Sequence, residues 1–471
     1  MLFSSIEFIY LFLPTVLILN YGVFRKSRFL KNVTLLAASL FFYAWGEPKC
    51  VLLMIGSIIV NWFIGIGVGR FRDDKRKSRM LVALDILINL AVLFVFKYLV
   101  FSVGVINDIF GTGLPVPNIA LPIGISFFTF QAISYVIDIY REKGEVQKNI
   151  LNVGLYISFF PQLIAGPIIR YNTVAEEIRS RNETPDDLFD GLARFIVGLS
   201  KKVLLANSFA LIADSAFDAV KNGEGISAMF GWLGAVSYTF QIFFDFSGYS
   251  DMAIGLGRMF GFHFSENFNY PYISASVTEF WRRWHISLGQ WFRDYVYIPL
   301  GGSRCGKART VLNLFAVWLL TGIWHGANYT FIVWGLMYFV LLTIEKLTGI
   351  NKKGGRVFKV LGWIYTFFFV VIGWVIFRAE SLGDAFRYIQ SLFGAGGSFS
   401  DDSFIGWFQQ NAILLSAGAV LSTPVFKALS EKTKKSNVVA AIKAVVLFCL
   451  FVLSIASLVS STHNPFIYFN F

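Results

Sequence analysis

The sequence predicts an all-α polytopic membrane protein, with roughly ten to twelve spans and a few re-entrant or interfacial helices around a central tunnel. Three observations predict it. The residue types AVILMFWYC make up 56% of the 471 residues, and charged residues only 15%, against roughly 25% charged in soluble domains. Mean hydropathy is +0.62. A water-soluble fold of this length has too little polar side chain here to cover its surface, so the apolar excess must face lipid. Aromatic residues, at 18%, supply rings that pack helices and line both membrane interfaces.

A spanning helix needs about 20 mostly apolar residues, because the hydrocarbon core is about 30 Å thick and a helix rises about 1.5 Å per residue. Apolar runs fall at residues 6–24, 33–45, 51–69, 81–103, 119–140 and 150–168. Further runs fall at 188–219, 228–262, 311–347, 358–377, 404–426 and 438–459. Some are too long or too short for one upright helix, hence the expected re-entrant segments. The first run has no Lys or Arg before it and contains Glu7, unlike the basic front end of a signal peptide, and is read as a retained helix. The Gly/Pro cluster at 160–167 predicts a broken helix, tolerated at membrane depth only where protein or a water-filled cavity satisfies the freed backbone. No internal repeat or long linker appears, and residues 1–471 are read as one polytopic domain.

The formal charge is 41 − 29 = +12, but the basic residues sit in short loops between apolar runs. That is the pattern of cytoplasmic anchoring at a lipid bilayer, not of nucleic-acid binding. Loops 25–28, 70–79, 352–353 and 427–435 read as cytoplasmic, and 400–402 as external. Both termini are then expected on the extracytoplasmic side of the plasma membrane. The three cysteines, Cys50, Cys305 and Cys449, are too few and too far apart to imply a disulfide framework or a metal site.

Ionisable residues within apolar sequence are functional candidates. In residues 279–302 a helix would place Trp281, His285, Leu288 and Phe292 on one face, flanked by Arg282, Arg283 and Arg293. The same pattern suits an interfacial helix with snorkelling arginines. His325 lies between Gly322 and Gly326 inside the long run 311–347. Burial disfavours its imidazolium, leaving a neutral ring able to accept a proton; a structural core histidine is the alternative. His263 reads as a loop residue, and His463 as an interfacial one. Asp245 and Asp251 interrupt another apolar run, and internal pairing is their expected role. A buried neutral histidine behind a basic surface fits an enzyme moving a group between a cytosolic donor and an acceptor, and equally a transporter or flippase that uses the histidine for proton coupling.

The segment WRRWHISLGQWFRDYVYIPLGG ending at Gly302, with GIWHG at 322–326, resembles the signatures of the membrane-bound O-acyltransferase (MBOAT) family, in its bacterial alginate O-acetyltransferase-like branch. SYVIDIYR at 134–141, FPQLIAGPIIR at 160–170, QIFFDFSGYSDMAIGLGRMFGF at 241–262 and NFNYPYISASVTEFW at 267–281 extend the likeness, so that residues 120–335 read as the catalytic core. The resemblance implies O-acyl transfer, most simply acetyl from a cytosolic thioester such as acetyl-CoA, to hydroxyls of an exported or cell-wall polysaccharide. D-alanyl transfer to an envelope polymer is the variant within the family. It implies His325 as general base and His285 as a second polar group on the same tunnel. The arginines Arg282, Arg283 and Arg293 would attract donor phosphates, no bound cofactor or metal is expected, and an extracytoplasmic membrane-anchored transferase is the implied partner. The aromatic ending PFIYFNF resembles that of relatives in this branch, and it implies Tyr468 as an acyl carrier or, alternatively, an interfacial anchor.

Overall fold

In hydrocarbon every backbone N–H and C=O must find a partner inside the chain, so each long apolar run has to fold as a helix. The computed structural model describes residues 1–352, 355–395, 397–432, 437–460 and 467, and among these it holds helices and no strand. Eight helices are long and apolar enough to cross a bilayer, and two shorter apolar ones, Phe8–Val23 and Ile125–Tyr140, accompany them among the described residues. The chain divides into two compact units, Met1–Ile196 with Tyr249–Ser265, and Val197–Gly248 with Glu266–Phe471.

In the first unit the spans Arg28–Gly46, Cys50–Arg70 and Lys75–Phe110 follow one another through short polar links. Two of them start where the sequence supplies a capping oxygen. Ser27 Oγ accepts from the Leu30 N–H at 3.3 Å, and Asp74 Oδ1 from the Lys77 N–H at 3.1 Å, each satisfying a helix-end donor beside a basic loop. The apolar run at 119–140 becomes helical only from Ile125, because Gly124 holds a left-handed φ of +74°. The expected break near Pro161 is present. The helix Ile150–Ser158 stops, one turn restarts at Phe160–Leu163, and protein satisfies the freed groups. Ser39 Oγ accepts from the Phe160 N–H at 3.0 Å, and the Gln162 side chain donates to the Tyr156 carbonyl at 2.5 Å. Asp251 pairs with Arg194 at 2.8 Å and His263 with Glu177 at 2.9 Å, so both serve structure. A denser ionic knot gathers around Glu183, whose side chain is 5% exposed and meets Arg28, Lys31 at 2.9 Å and Arg181 at 3.3 Å.

The second unit is built around a helical hairpin. The run at 311–347 divides into Lys307–His325 and Tyr329–Thr348, and Asn328 Oδ1 restarts the second helix by accepting from the Thr330 N–H at 3.1 Å. His325 therefore ends a helix at a turn, rather than standing mid-span. Backbones touch where the two helices cross: a Cβ on Gly335 would sit 2.5 Å from the Trp318 carbonyl oxygen, and one on Gly322 2.5 Å from that of Phe331. Trp318, Trp334 and Tyr338 of the hairpin interlock with Trp281 and Trp374 mostly edge to face, with centroids 4.8–6.5 Å apart. Asp245, in the helix Ala228–Met259, pairs with Lys202 at 2.9 Å, both buried. Internal pairing is thus the observed role of both aspartates in that motif.

Removing one partner of a buried ionic cluster leaves charge uncompensated, at a cost of about 3–5 kcal/mol. Glu183→Ala is therefore expected to lower the thermal unfolding midpoint of detergent-purified protein sharply, because three cations converge on that carboxylate. An unchanged midpoint would show that the knot contributes nothing to stability.

Candidate active site

The stretch expected to run as one helix through 279–302 does not. A helix Val277–Arg283 ends, Trp284 is extended, His285 takes φ +45° and ψ +54°, and a second helix runs Ile286–Phe292. A left-handed conformation at a non-glycine residue is uncommon and marks a conformation that the surroundings impose. Three sets of bonds impose this one. The Asn269 N–H donates to the Arg283 carbonyl at 2.9 Å, closing the first helix. The Asn267 carbonyl accepts from the Ile286 N–H at 2.9 Å, and its side-chain oxygen from the Ser287 N–H at 3.1 Å and hydroxyl at 2.9 Å, opening the second. The chain at 267–269 is thus a strap across the break, supplying partners for helix ends that would otherwise be orphaned.

The first of these helices is fixed at its own start. Ser276 Oγ accepts from the Glu279 N–H at 3.0 Å, and Glu279 reaches back to the Ala275 N–H at 3.0 Å, a variant of the capping box. Glu345, 1% exposed near the end of the hairpin's second helix, accepts from the Val277 and Thr278 N–H groups at 2.7 and 2.8 Å and from the Thr278 hydroxyl at 2.6 Å. A buried carboxylate on a helix N-terminus is favoured by the peptide dipoles there. It ties the hairpin to the helix that leads into His285.

The break and the hairpin turn open on one cavity of about 490 Å³. His285 and His325 both line it, with Trp281, Leu288, Phe292 and Trp318. The four residues expected on one helical face do share a surface, although the helix between them is broken. Arg282 and Arg293 line the same cavity, whose described lining includes no carboxylate. Arg283 does not line it: its guanidinium is engaged by Glu279 at 2.8–2.9 Å and by the Asn269 carbonyl at 3.1 Å. His285 lies in the break between two seven-residue helices, neither able to span a membrane, and burial pushes its imidazole pKa down to about 4. The His325 ring is packed by aromatic rings, Trp324 at 4.8 Å and Trp334 and Phe377 at 5.0 Å between centroids.

Phe331 and Phe377 also line a second cavity, of about 500 Å³, so these two rings are a wall between His325 and that space. Its character is opposite. Asp214, Asp218, Glu380 and Asp384 line it, beside Lys221 and Arg378. Arg378 bonds Asp214 and lies over the Phe217 and Tyr238 rings, 4.5 and 4.9 Å from their centroids. Ile467 borders the same cavity, whereas Tyr468 and His463 lie outside the described residues. Among the described residues no group of three or more His, Cys, Asp or Glu side chains could hold a metal ion.

Sequence reasoning reached both histidines but missed Asn267, Glu345 and the acidic second cavity. Asn267 follows the apolar run 228–262 and Glu345 is an acid inside the run 311–347, but their partners lie 20 and 68 residues away along the chain.

Residues 145–382 match the sequence model of the family described as MBOAT, membrane-bound O-acyltransferase. The chain is 46% identical to the probable alginate O-acetylase AlgI of Pseudomonas aeruginosa, over 84% of this chain and 75% of that protein. It is 33% identical to the peptidoglycan O-acetyltransferase of Helicobacter pylori, over 100% and 98% of the two chains. Similarity at 29% extends to the teichoic acid D-alanyltransferase of Bacillus subtilis, over 56% of this chain and 71% of that one.

Asn267→Ala strands the buried Ser287 N–H, a cost of about 1–3 kcal/mol. Its unfolding midpoint should fall below that of the parent, while Asn267→Asp, which keeps the accepting oxygen, should lie nearer to it. Equal midpoints for Asn267→Ala and the parent would remove the strap from the account of how His285 is held.

Proposed function

The chain belongs to the membrane-bound O-acyltransferase family, and from that premise we propose a specific transfer. An acetyl group leaves a cytosolic thioester, of which acetyl-CoA is the simplest, crosses through the protein, and reaches hydroxyls of an exported or cell-wall polysaccharide. The observation that carries this reading is the 490 Å³ cavity shared by His285, His325, Arg282 and Arg293. A thioester is already activated, so what the site must supply is a hydroxyl relieved of its proton. A neutral His325 takes that proton as the oxygen attacks the thioester carbonyl. The C–S bond then breaks, and the thiolate leaves with the proton held by the imidazole. His285, kept uncharged by burial, is the second polar group on the path and orients the donor carbonyl.

The charge contrast supports a direction. Arg282 and Arg293, the latter also paired with Asp294 at 3.2 Å, line a cavity whose described lining has no carboxylate and suit the phosphates of a nucleotide-bearing thioester. The nearby basic residues Arg304 and Lys307 support a cytoplasmic side for that mouth. The acid-rich second cavity, with its exposed hydrogen-bonding groups, suits a neutral hydroxyl acceptor from outside. Tyr468 is the acceptor hydroxyl in this scheme, one residue beyond Ile467 on the wall of that cavity. Both termini lie outside, and a membrane-anchored extracytoplasmic transferase relieves the tyrosyl ester of its acetyl group. Acetyl is preferred to D-alanyl because the relatives named for O-acetylation, at 46% and 33% identity, are more similar than the one named for D-alanylation, at 29%.

General-base catalysis contributes about 10²–10⁴-fold. His325→Ala is therefore expected to reduce cleavage of radiolabelled acetyl-CoA by purified protein by at least that lower bound, with the fold retained. Turnover equal to the parent would end the assignment of His325. Tyr468→Phe should leave donor binding intact and abolish polymer acetylation in cells; undiminished acetylation would end the carrier role.

A further inference from the structure

The scheme above leaves open what holds Ile467 at the second cavity. The Ile467 N–H donates to Asp245 Oδ2 at 3.0 Å. The other oxygen of that carboxylate, Oδ1, meets Lys202 Nζ at 2.9 Å, and Lys202 also donates to Asn207 Oδ1 at 2.9 Å. Asp245 and Lys202 are both buried, and the Ile467 side chain, 5% exposed, joins the aromatic core. All of these residues belong to the second unit.

We propose that Asp245 is a positioning residue that clamps the main chain of Ile467 at the cavity that Phe331 and Phe377 also line. A buried carboxylate with one oxygen on a lysine still needs a donor for the other, and leaving it unmet costs more than the bond itself returns. The main-chain N–H of residue 467 meets that need, and the isoleucine side chain adds apolar burial. Together they fix the chain one residue before Tyr468. The inference rests on the carrier reading for its purpose, but not for its geometry.

The clamp is tested on full-length, detergent-purified protein lacking native thiols (Cys50→Ala, Cys305→Ala, Cys449→Ala), with Tyr468→Cys as reporter and a bulky maleimide as probe. Ile467→Pro deletes the donor and leaves Asp245 and Lys202 untouched. Asp245→Ala with Lys202→Met removes the acceptor without stranding a charge, and Asp245→Asn with Lys202→Met keeps an accepting oxygen. In variants that elute as monodisperse protein, labelling should quicken about tenfold for the first two, the scale of one hydrogen bond to a charged group. The Asn/Met pair should label at a rate near that of the parent. Equal rates for the parent, Ile467→Pro and Asp245→Ala/Lys202→Met would overturn the clamp. Because labelling involves no acyl transfer, that result is distinct from failure of the carrier reading, which Tyr468→Phe decides by polymer acetylation.

Discussion

The constraint on which this structure depends is that backbone polar groups in an apolar setting cannot go unbonded. A helix satisfies them everywhere except at its ends, and both histidines stand at ends. His285 occupies the gap between two short helices, and His325 closes a long one at a turn. Each gap exists only because something else supplies partners: the 267–269 strap at the first, Asn328 at the second. Breaking helices where the ends can be satisfied opens a cavity without leaving backbone groups unbonded, and this is how two imidazoles come to line one cavity.

The site's electrostatics follow from the same arrangement. Glu345 neutralises a helix N-terminus inside the core rather than binding a cation, and Glu279 holds Arg283 away from the cavity. That leaves Arg282 and Arg293 as the charges on its lining. Across the Phe331–Phe377 wall the sign of the lining changes. In the transfer proposed above, a phosphorylated donor meets the arginine lining and neutral hydroxyls meet the acidic one, so charge sorts the two reactants before any chemistry occurs.

Much of this was legible in the sequence because span length and hydropathy are local properties. Apolar runs located the helices to within a few residues, as at 51–69 against Cys50–Arg70, and the Pro161 break was visible as a Gly/Pro cluster. The periodicity of Trp281, His285, Leu288 and Phe292 identified a shared face correctly but implied a continuous helix. No local pattern announces that Asn267 will accept from Ser287, since that bond depends on how distant segments pack. The hairpin within 311–347 was ambiguous for a similar reason: both halves are apolar, and only Gly326 and Asn328 mark the turn. The environment of Tyr468 lies outside the described residues, and its role rests on sequence resemblance and on its neighbour Ile467.

The glycine contact in the hairpin has a mechanical corollary. Where Gly322 and Gly335 bring main chain against main chain, the two helices mesh like gear teeth with no side-chain cushion between them, and sliding one past the other would drive the backbones into collision. The His325 ring at the tip inherits that stiffness. Its address in space is set by the frame that carries it, so the base of the proposed transfer stays rigid where the substrates must move.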